Sequence, residues 1–172
     1  YVSLEPCSHH GKTPPCADLL IKSRVRRVVI CNMDPNPIVA GEGIAKLKAA
    51  GIEVEVGLLA EKGEELNRKF FHFQREKKPY ITLKFACSQD NFLAATEGKP
   101  IAFSNSESQQ LVHKMRAENQ AILIGVQTAI ADNPSLNVRY WQGESPLRSV
   151  IDPSNRLPKE SKLVQDHEAL LV

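Results

Sequence analysis

The chain reads as an α/β protein, and three observations predict it. Short runs rich in β-branched residues (27–31, 52–56, 121–124 and 149–151) alternate with segments whose apolar residues recur at helical spacing. Glycine and proline punctuate the joins, as at Gly51, Gly125 and Asp152-Pro153. No internal repeat or low-complexity segment interrupts the alternation, which is the pattern of strands laid side by side with helices between them.

In chain order, Tyr1-Val2-Ser3-Leu4 reads as a strand already under way. Pro14-Pro15 opens a helix in which Cys16, Leu19 and Leu20 recur at helical spacing, with proline in the first turn it favours. Residues 27–31 form a buried-type strand, and Asp34-Pro35-Asn36-Pro37 a loop, because proline cannot continue a ladder. Ile44, Leu47 and Ala50 mark a second helix that Gly51 stops, and residues 52–56 alternate as a strand. Leu66, Phe70 and Phe73 share one face of a third helix, which ends in Arg75-Glu76-Lys77-Lys78 before Pro79. That charged, proline-terminated end is the expected domain boundary, although composition alone would equally allow a simple connecting loop. Tyr80-Ile81-Thr82-Leu83-Lys84-Phe85 then starts a new strand. Ser106 with Gln109 forms a capping box for a helix with Leu111, Val112 and Met115 on its apolar face. Ala121-Ile122-Leu123-Ile124 is a buried strand entering Gly125, Ser149-Val150-Ile151 another, and Ala169-Leu170-Leu171-Val172 a last. A chain that begins and ends in strands reads as a piece cut from a longer one.

The 172 residues suit one ordinary domain or parts of two. A formal net charge of +2 gives no argument for nucleic acid or a membrane as partner. No apolar run approaches the roughly 20 residues that span a bilayer, and no signal-peptide pattern opens the chain. A cytoplasmic location is the working expectation.

Of the four cysteines, Cys7 and Cys16 lie in a loop rich in proline and histidine, which suits metal ligation better than a disulfide. A catalytic zinc takes three protein ligands and keeps one position open for water. Cys7 at a strand end and Cys16 in a helix's first turn leave room for one more ligand, and the helix dipole is expected to favour the Cys16 thiolate. Base and nucleoside deaminases place a His-x-Glu motif upstream of such a cysteine pair, its Glu shuttling protons. Here eight residues separate the cysteines, and no His-x-Glu precedes Cys7.

The run Glu5-Pro6-Cys7-Ser8-His9-His10-Gly11-Lys12-Thr13-Pro14-Pro15-Cys16 resembles the deaminase domain of the bifunctional riboflavin-biosynthesis deaminase–reductase family. The resemblance assigns zinc to Cys7, Cys16 and an upstream His, and leaves His9 and His10 with substrate-facing or loop-stabilising roles. Asp34-Pro35-Asn36-Pro37 with Val39, Gly41 and Gly43 resembles the family's next segment, read either as a loop near substrate or as a plain turn.

From Pro79 onward the chain resembles the same family's reductase domain. The residues that carry this are Lys84-Phe85-Ala86-Cys87-Ser88-Gln89-Asp90, the segment from Leu111 to Ala117, the segment from Ala121 to Arg139, and Val150-Ile151-Asp152. The implied fold class is α/β: the C-terminal part of a cytidine-deaminase-like domain (residues 1–78) followed by the N-terminal part of a dihydrofolate-reductase-like domain (residues 79–172). The implied function is riboflavin biosynthesis. Zinc-dependent hydrolytic deamination of diaminohydroxyphosphoribosylaminopyrimidine would be followed by NADPH-dependent reduction of the ribosyl side chain to ribityl. The resemblance places Ala86, Ala102, Thr128, Asp132 and Pro153 against NADPH, and Pro100, Arg116, Leu136 and Arg139 against substrate.

Bottom-up chemistry fits these positions. Ligands of open α/β sheets sit at strand carboxyl ends, where Gly125 would allow close backbone approach and Thr128 and Asp132 could bond phosphate or ribose. Arg116 and Arg139 offer paired donors to a phosphate, or else are solvated surface charges. Asp90 reads as near the ribose region or as a turn aspartate. Asn91 stands where the family usually has Gly, a turn that Asn can also make, and Ala102 where it commonly has Trp. The expected partners are thus a small pyrimidine ribosyl phosphate and further copies of the chain. No catalytic residue is expected within residues 1–172, whose isolated activity is expected to be nil. The rival classes are a nucleic-acid or free-nucleoside deaminase, a non-catalytic protein with structural zinc, and a monofunctional reductase with a vestigial N-terminal half.

Overall fold

The computed structural model describes residues 1–37, 39–93, 103–166 and 168–172. Pro100 and Ala102 therefore lie outside the described residues. The chain divides into two compact units, Tyr1–Thr82 and Leu83–Val172.

The first unit is a parallel sheet of β1 (Val2–Leu4), β2 (Arg27–Asn32) and β3 (Glu53–Val56), with β2 in the centre. Val2 lies beside Ile30, and Ile30 beside Val56. Because successive strand residues point to opposite faces, Val28 and Ile30 share one side. There they pack with Ala17 of α1 (Cys16–Lys22), with Ile44 and Leu47 of α2 (Glu42–Ala49), and with Ile52. The opposite side of β2 meets α3 (Ala60–Leu66), whose Gly63 leaves no room for a Cβ: one would fall 2.1 Å from Asn32 Oδ1 and 2.8 Å from Cys31 Sγ. The glycine is there for the close approach of helix to strand. Gly51 ends α2 at φ +78, the left-handed stop its sequence predicts.

Two helix readings are corrected here. Leu19 is exposed, and Ala17, Leu20 and Ile21 form the inward face of α1. The single helix expected through Leu66, Phe70 and Phe73 is two, α3 and α4 (Arg68–Glu76), parted at Asn67. The Asn67 side-chain amide donates to Gly63 O at 3.1 Å, competing locally with the helical ladder. The break buries Phe71 and leaves Leu66 and Phe73 exposed.

The second unit holds α5 (Ser106–Ala117), β4 (Ala121–Gly125), α6 (Val126–Asp132), β5 (Leu147–Ile151), α7 (Lys162–Gln165) and β6 (Leu170–Leu171). Its sheet is parallel, ordered β4-β5-β6. Ile122, Ile124, Val150 and Leu170 line one face against Val126 and Ala129 of α6, Leu136, and Leu163 of α7. On the other face Leu123, Ile151 and Leu171 are more than half exposed, so β4 is not the fully buried strand expected. Arg148 on β5 is fully buried and was missed from sequence.

Residues 80–85 do not form the expected strand. A strand is made by its neighbour's hydrogen bonds; none among the described residues pairs with this segment, and Ile81, Leu83 and Phe85 stand exposed. The α5 capping box is also corrected. Asn105 is the N-cap and accepts from Ser108 N at 2.9 Å, one residue ahead of the predicted pair. Its buried residue is His113, while Leu111 is exposed. Among the described residues, no helix is long and apolar enough to cross a membrane.

Candidate functional site

Each unit carries one cluster of chemistry-bearing residues. In the first, β1 ends in Glu5-Pro6-Cys7, and the loop returns to α1 at Cys16. Two bonds hold the cysteines together: Cys16 N donates to Cys7 Sγ at 3.3 Å, and Ala17 N to Cys7 O at 3.1 Å. Cys7 is half-buried and Cys16 exposed. The Cys16 thiol is pushed up from its ordinary value by its hydrogen bond with Cys7, then by charge repulsion from Cys7, then by burial. Without a metal, the neighbouring sulfur thus acts against the thiolate that the helix start is expected to favour. A divalent cation between two sulfurs inverts that repulsion, so the donor pair fits a thiophilic metal such as zinc. Among the described residues, no group of three or more His, Cys, Asp or Glu side chains is placed to hold a metal. His9 and His10 are exposed.

Glu5 was passed over in the sequence reading, although it is the one acidic residue of the run. It is buried, and its carboxylate accepts from Asp34 N at 3.3 Å, Gly41 N at 3.0 Å and Ile44 N at 3.2 Å. It thereby ties the 34–44 loop to the strand end that carries Cys7. Gly43 completes the junction, since a Cβ there would fall 1.8 Å from Pro6 O. An acidic residue at a strand end before a proline was the available signal, but nothing in the sequence says which amides it meets.

In the second unit, Gly125 pairs in register with Ile151, so Gly125 and Pro153 lie at the carboxyl ends of neighbouring strands. A Cβ at Gly125 would meet nothing within 4 Å. That backbone is open to close approach, and Thr128 and Asp132 follow it, exposed, one helical turn apart on α6. The arrangement fits a dinucleotide. Asp152 is fixed beside it by Leu157 N at 2.7 Å; amides from Arg156 first, and also from Leu157 and Ser154, hold its carboxyl below the usual range. Ala86 is half-buried in an irregular segment. Nearby in sequence, Asn91 adopts φ +65, the turn in which it replaces Gly.

The two arginines are brought close by α5 and the 133–140 loop. Arg116 donates from Nη1 to Asn137 O at 3.1 Å, and the Arg139 guanidinium to Asn137 Oδ1. Arg116 Nε is buried without a hydrogen-bond partner. Burial, and after it the Arg139 charge, draw the Arg116 pKa below its ordinary value. Two guanidinium groups that meet at Asn137, one with a buried donor left unpaired, suit a phosphate. Leu136 adopts φ +55 and packs its side chain into the core. Only its backbone is left to face a ligand.

The two units together define an α/β protein with a cysteine pair at one sheet's edge and an arginine pair in the other unit. A family model described as the RibD C-terminal domain matches residues 79–172. The chain belongs to the RibD family. It is 44% identical to the riboflavin biosynthesis protein RibD of Aquifex aeolicus over 98% of this chain and 48% of that protein. It is 47% identical to the Bacillus amyloliquefaciens protein of the same name, over 98% of this chain and 46% of that one. Among solved structures it is similar to a Thermotoga maritima diaminohydroxyphosphoribosylaminopyrimidine deaminase/5-amino-6-(5-phosphoribosylamino)uracil reductase. There the TM-score is 0.89 and identity 36%, covering 97% of this chain and 48% of that one. Acinetobacter baumannii RibD gives a TM-score of 0.88 and 39% identity, over 97% and 49%. The chain spans about half the length of the relatives it matches.

Proposed function

We propose that residues 1–172 join a zinc-dependent deaminase half, residues 1–78, to an NADPH-dependent reductase half, residues 79–172, in a bifunctional enzyme of riboflavin biosynthesis. The observation that carries this is the likeness to the Thermotoga deaminase/reductase across 97% of the chain, which takes in both the cysteine pair and the arginine pair.

In this reading Cys7 and Cys16 hold zinc, and bound zinc supplies a Lewis acid that activates water. The third ligand and the proton-shuttling Glu belong to a His-x-Glu motif that residues 1–6 do not contain, so residues 1–172 alone would not deaminate. Glu5 and Gly43 hold the Cys7 turn in place. In the reductase half Ala86, Ala102, Thr128, Asp132 and Pro153 position the cofactor, while Pro100, Arg116, Leu136 and Arg139 position the pyrimidine ribosyl phosphate. The protein's contribution there is to hold the donor beside the ribose carbon. The family resemblance also supports a cytoplasmic homo-oligomer.

The test supplies the complete gene product with the diaminopyrimidine phosphate and follows ammonia release with and without NADPH. Release without NADPH, then NADPH oxidation when it is added, is the expected result. Reduction only of an already deaminated substrate would leave the zinc half inactive, and no reaction of either kind would overturn the proposal.

A further inference from the structure

His113 takes no part in the proposed chemistry, yet it is the buried residue of α5 and sits between the two arginines. Its Nδ1 accepts from Arg139 N at 2.9 Å. A neutral ring that accepts there carries its proton on Nε2. Nε2 lies 3.4 Å from Arg116 Nη1. Both atoms are then donors, so that contact is packing rather than a hydrogen bond. The ring's other side meets Tyr140 edge-on, centroids 4.8 Å apart. One imidazole therefore joins α5 to the 137–140 loop, and the loop's only bond from Arg139 N ends on it.

We propose that His113 is a positioning residue of the phosphate site: as a neutral acceptor it fixes the Arg139 backbone, and so the spacing of the Arg116 and Arg139 guanidinium groups. The inference rests on the reading of those arginines as a phosphate clamp. It also explains the choice of histidine. Lys or Arg could not accept the amide and would add a third charge, and a carboxylate would neutralise the two cations meant for the ligand. Burial first, then Arg116, then Arg139 draw the His113 pKa down, which keeps the acceptor lone pair in place.

The test uses the complete gene product in the reductase assay, with inorganic phosphate as competitive inhibitor. His113→Phe keeps the ring and its contact with Tyr140 but removes the acceptor. It should weaken phosphate inhibition and raise KM for the phosphorylated substrate about tenfold, the scale of one lost hydrogen bond. Both kcat and KM for NADPH should stay within about twofold. His113→Asn, whose amide oxygen can take the place of Nδ1, should restore most of the loss. Nitrogen chemical shifts of His113 in the unsubstituted protein should show the Nε2–H tautomer and should move when phosphate is added. A folded His113→Phe with native phosphate inhibition overturns the inference, as does a ring protonated on Nδ1. Arg116→Gln separates the two layers. If it leaves phosphate inhibition unchanged, the clamp itself fails; if it weakens inhibition while His113→Phe does not, only the role of His113 fails.

Discussion

Arg148 shows what one buried charge demands of its surroundings. Its guanidinium is fully buried on β5, and its two terminal nitrogens give to Asp166 at 2.6 and 2.8 Å. It also donates to Ser135 O, Leu163 O and Ala169 O, tying three segments to the central strand. Removing a partner from such a pair costs more than the pair itself contributes, because the charge left behind stays dehydrated. With Asp166 partly exposed and Glu168 still 3.9 Å from the guanidinium, Asp166→Asn is expected to lower stability by about 1–3 kcal/mol, read as a shift of the urea midpoint. A second residue-scale prediction concerns pH. His113 faces Arg116 of its own helix and Arg139 and Tyr140 of the loop, and its folded pKa is lowered by burial first, then Arg116, then Arg139. The unfolded chain then takes up the proton first as pH falls. Its contribution is complete above the unfolded value of about 6.5 and is lost as pH drops from there through the lower folded value. Urea midpoints of the native protein should fall over that window, and those of His113→Phe should fall less.

Elements were easier to read than the faces they bury. The strands at residues 27–31, 52–56 and 149–151 follow from β-branched runs between turn signals, and all are found within a residue or two. Helix faces were misread at Leu19, Leu66 and Leu111, where packing inward falls to Ala17, Phe71 and His113. Apolar spacing identifies a helix, but which side turns inward depends on breaks such as Asn67 and on what the sheet offers. Cys7 and Cys16 stand out because both lie in one short loop, whereas Arg116 and Arg139, far apart in sequence, are singled out through the family resemblance. Glu5, His113 and Arg148 are not, because the side-chain hydrogen bonds that define each reach at least 13 residues along the chain. The packing of α2 against the Cys7 turn gives an element-scale test. A Cβ on Gly43 would meet Pro6 O at 1.8 Å and Glu5 Oε1 at 3.3 Å, backbone on one side and a buried carboxylate on the other. Gly43→Ala is expected to cost about 1–3 kcal/mol in thermal denaturation and to weaken metal uptake by the complete gene product. By contrast Asn105→Ala, which removes only the α5 cap, should cost about 1 kcal/mol and leave metal uptake unchanged.

At the scale of the whole molecule, the two units have separate sheets and separate cores, the first built on Ile30 and Leu47 and the second on Val150 and Leu163. Among the described residues the two clusters share no member, so each unit is expected to report on the ligand it binds itself. The cysteine pair lies in the first unit and the arginine pair in the second. A ligand held only by the folded form raises stability by about 2.7 kcal/mol at roughly a hundred times its Kd. Zinc should therefore raise the unfolding of the first unit and inorganic phosphate that of the second, as reported by hydrogen exchange at Val28–Ile30 and at Ser149–Val150. Because Cys16 is protonated more readily beside Cys7, the zinc effect should weaken as pH falls, and it should disappear in Cys7→Ser, with the phosphate effect intact. Equal protection of both sheets by either ligand would mean that the two units unfold together and that the assignment of each ligand to one unit fails.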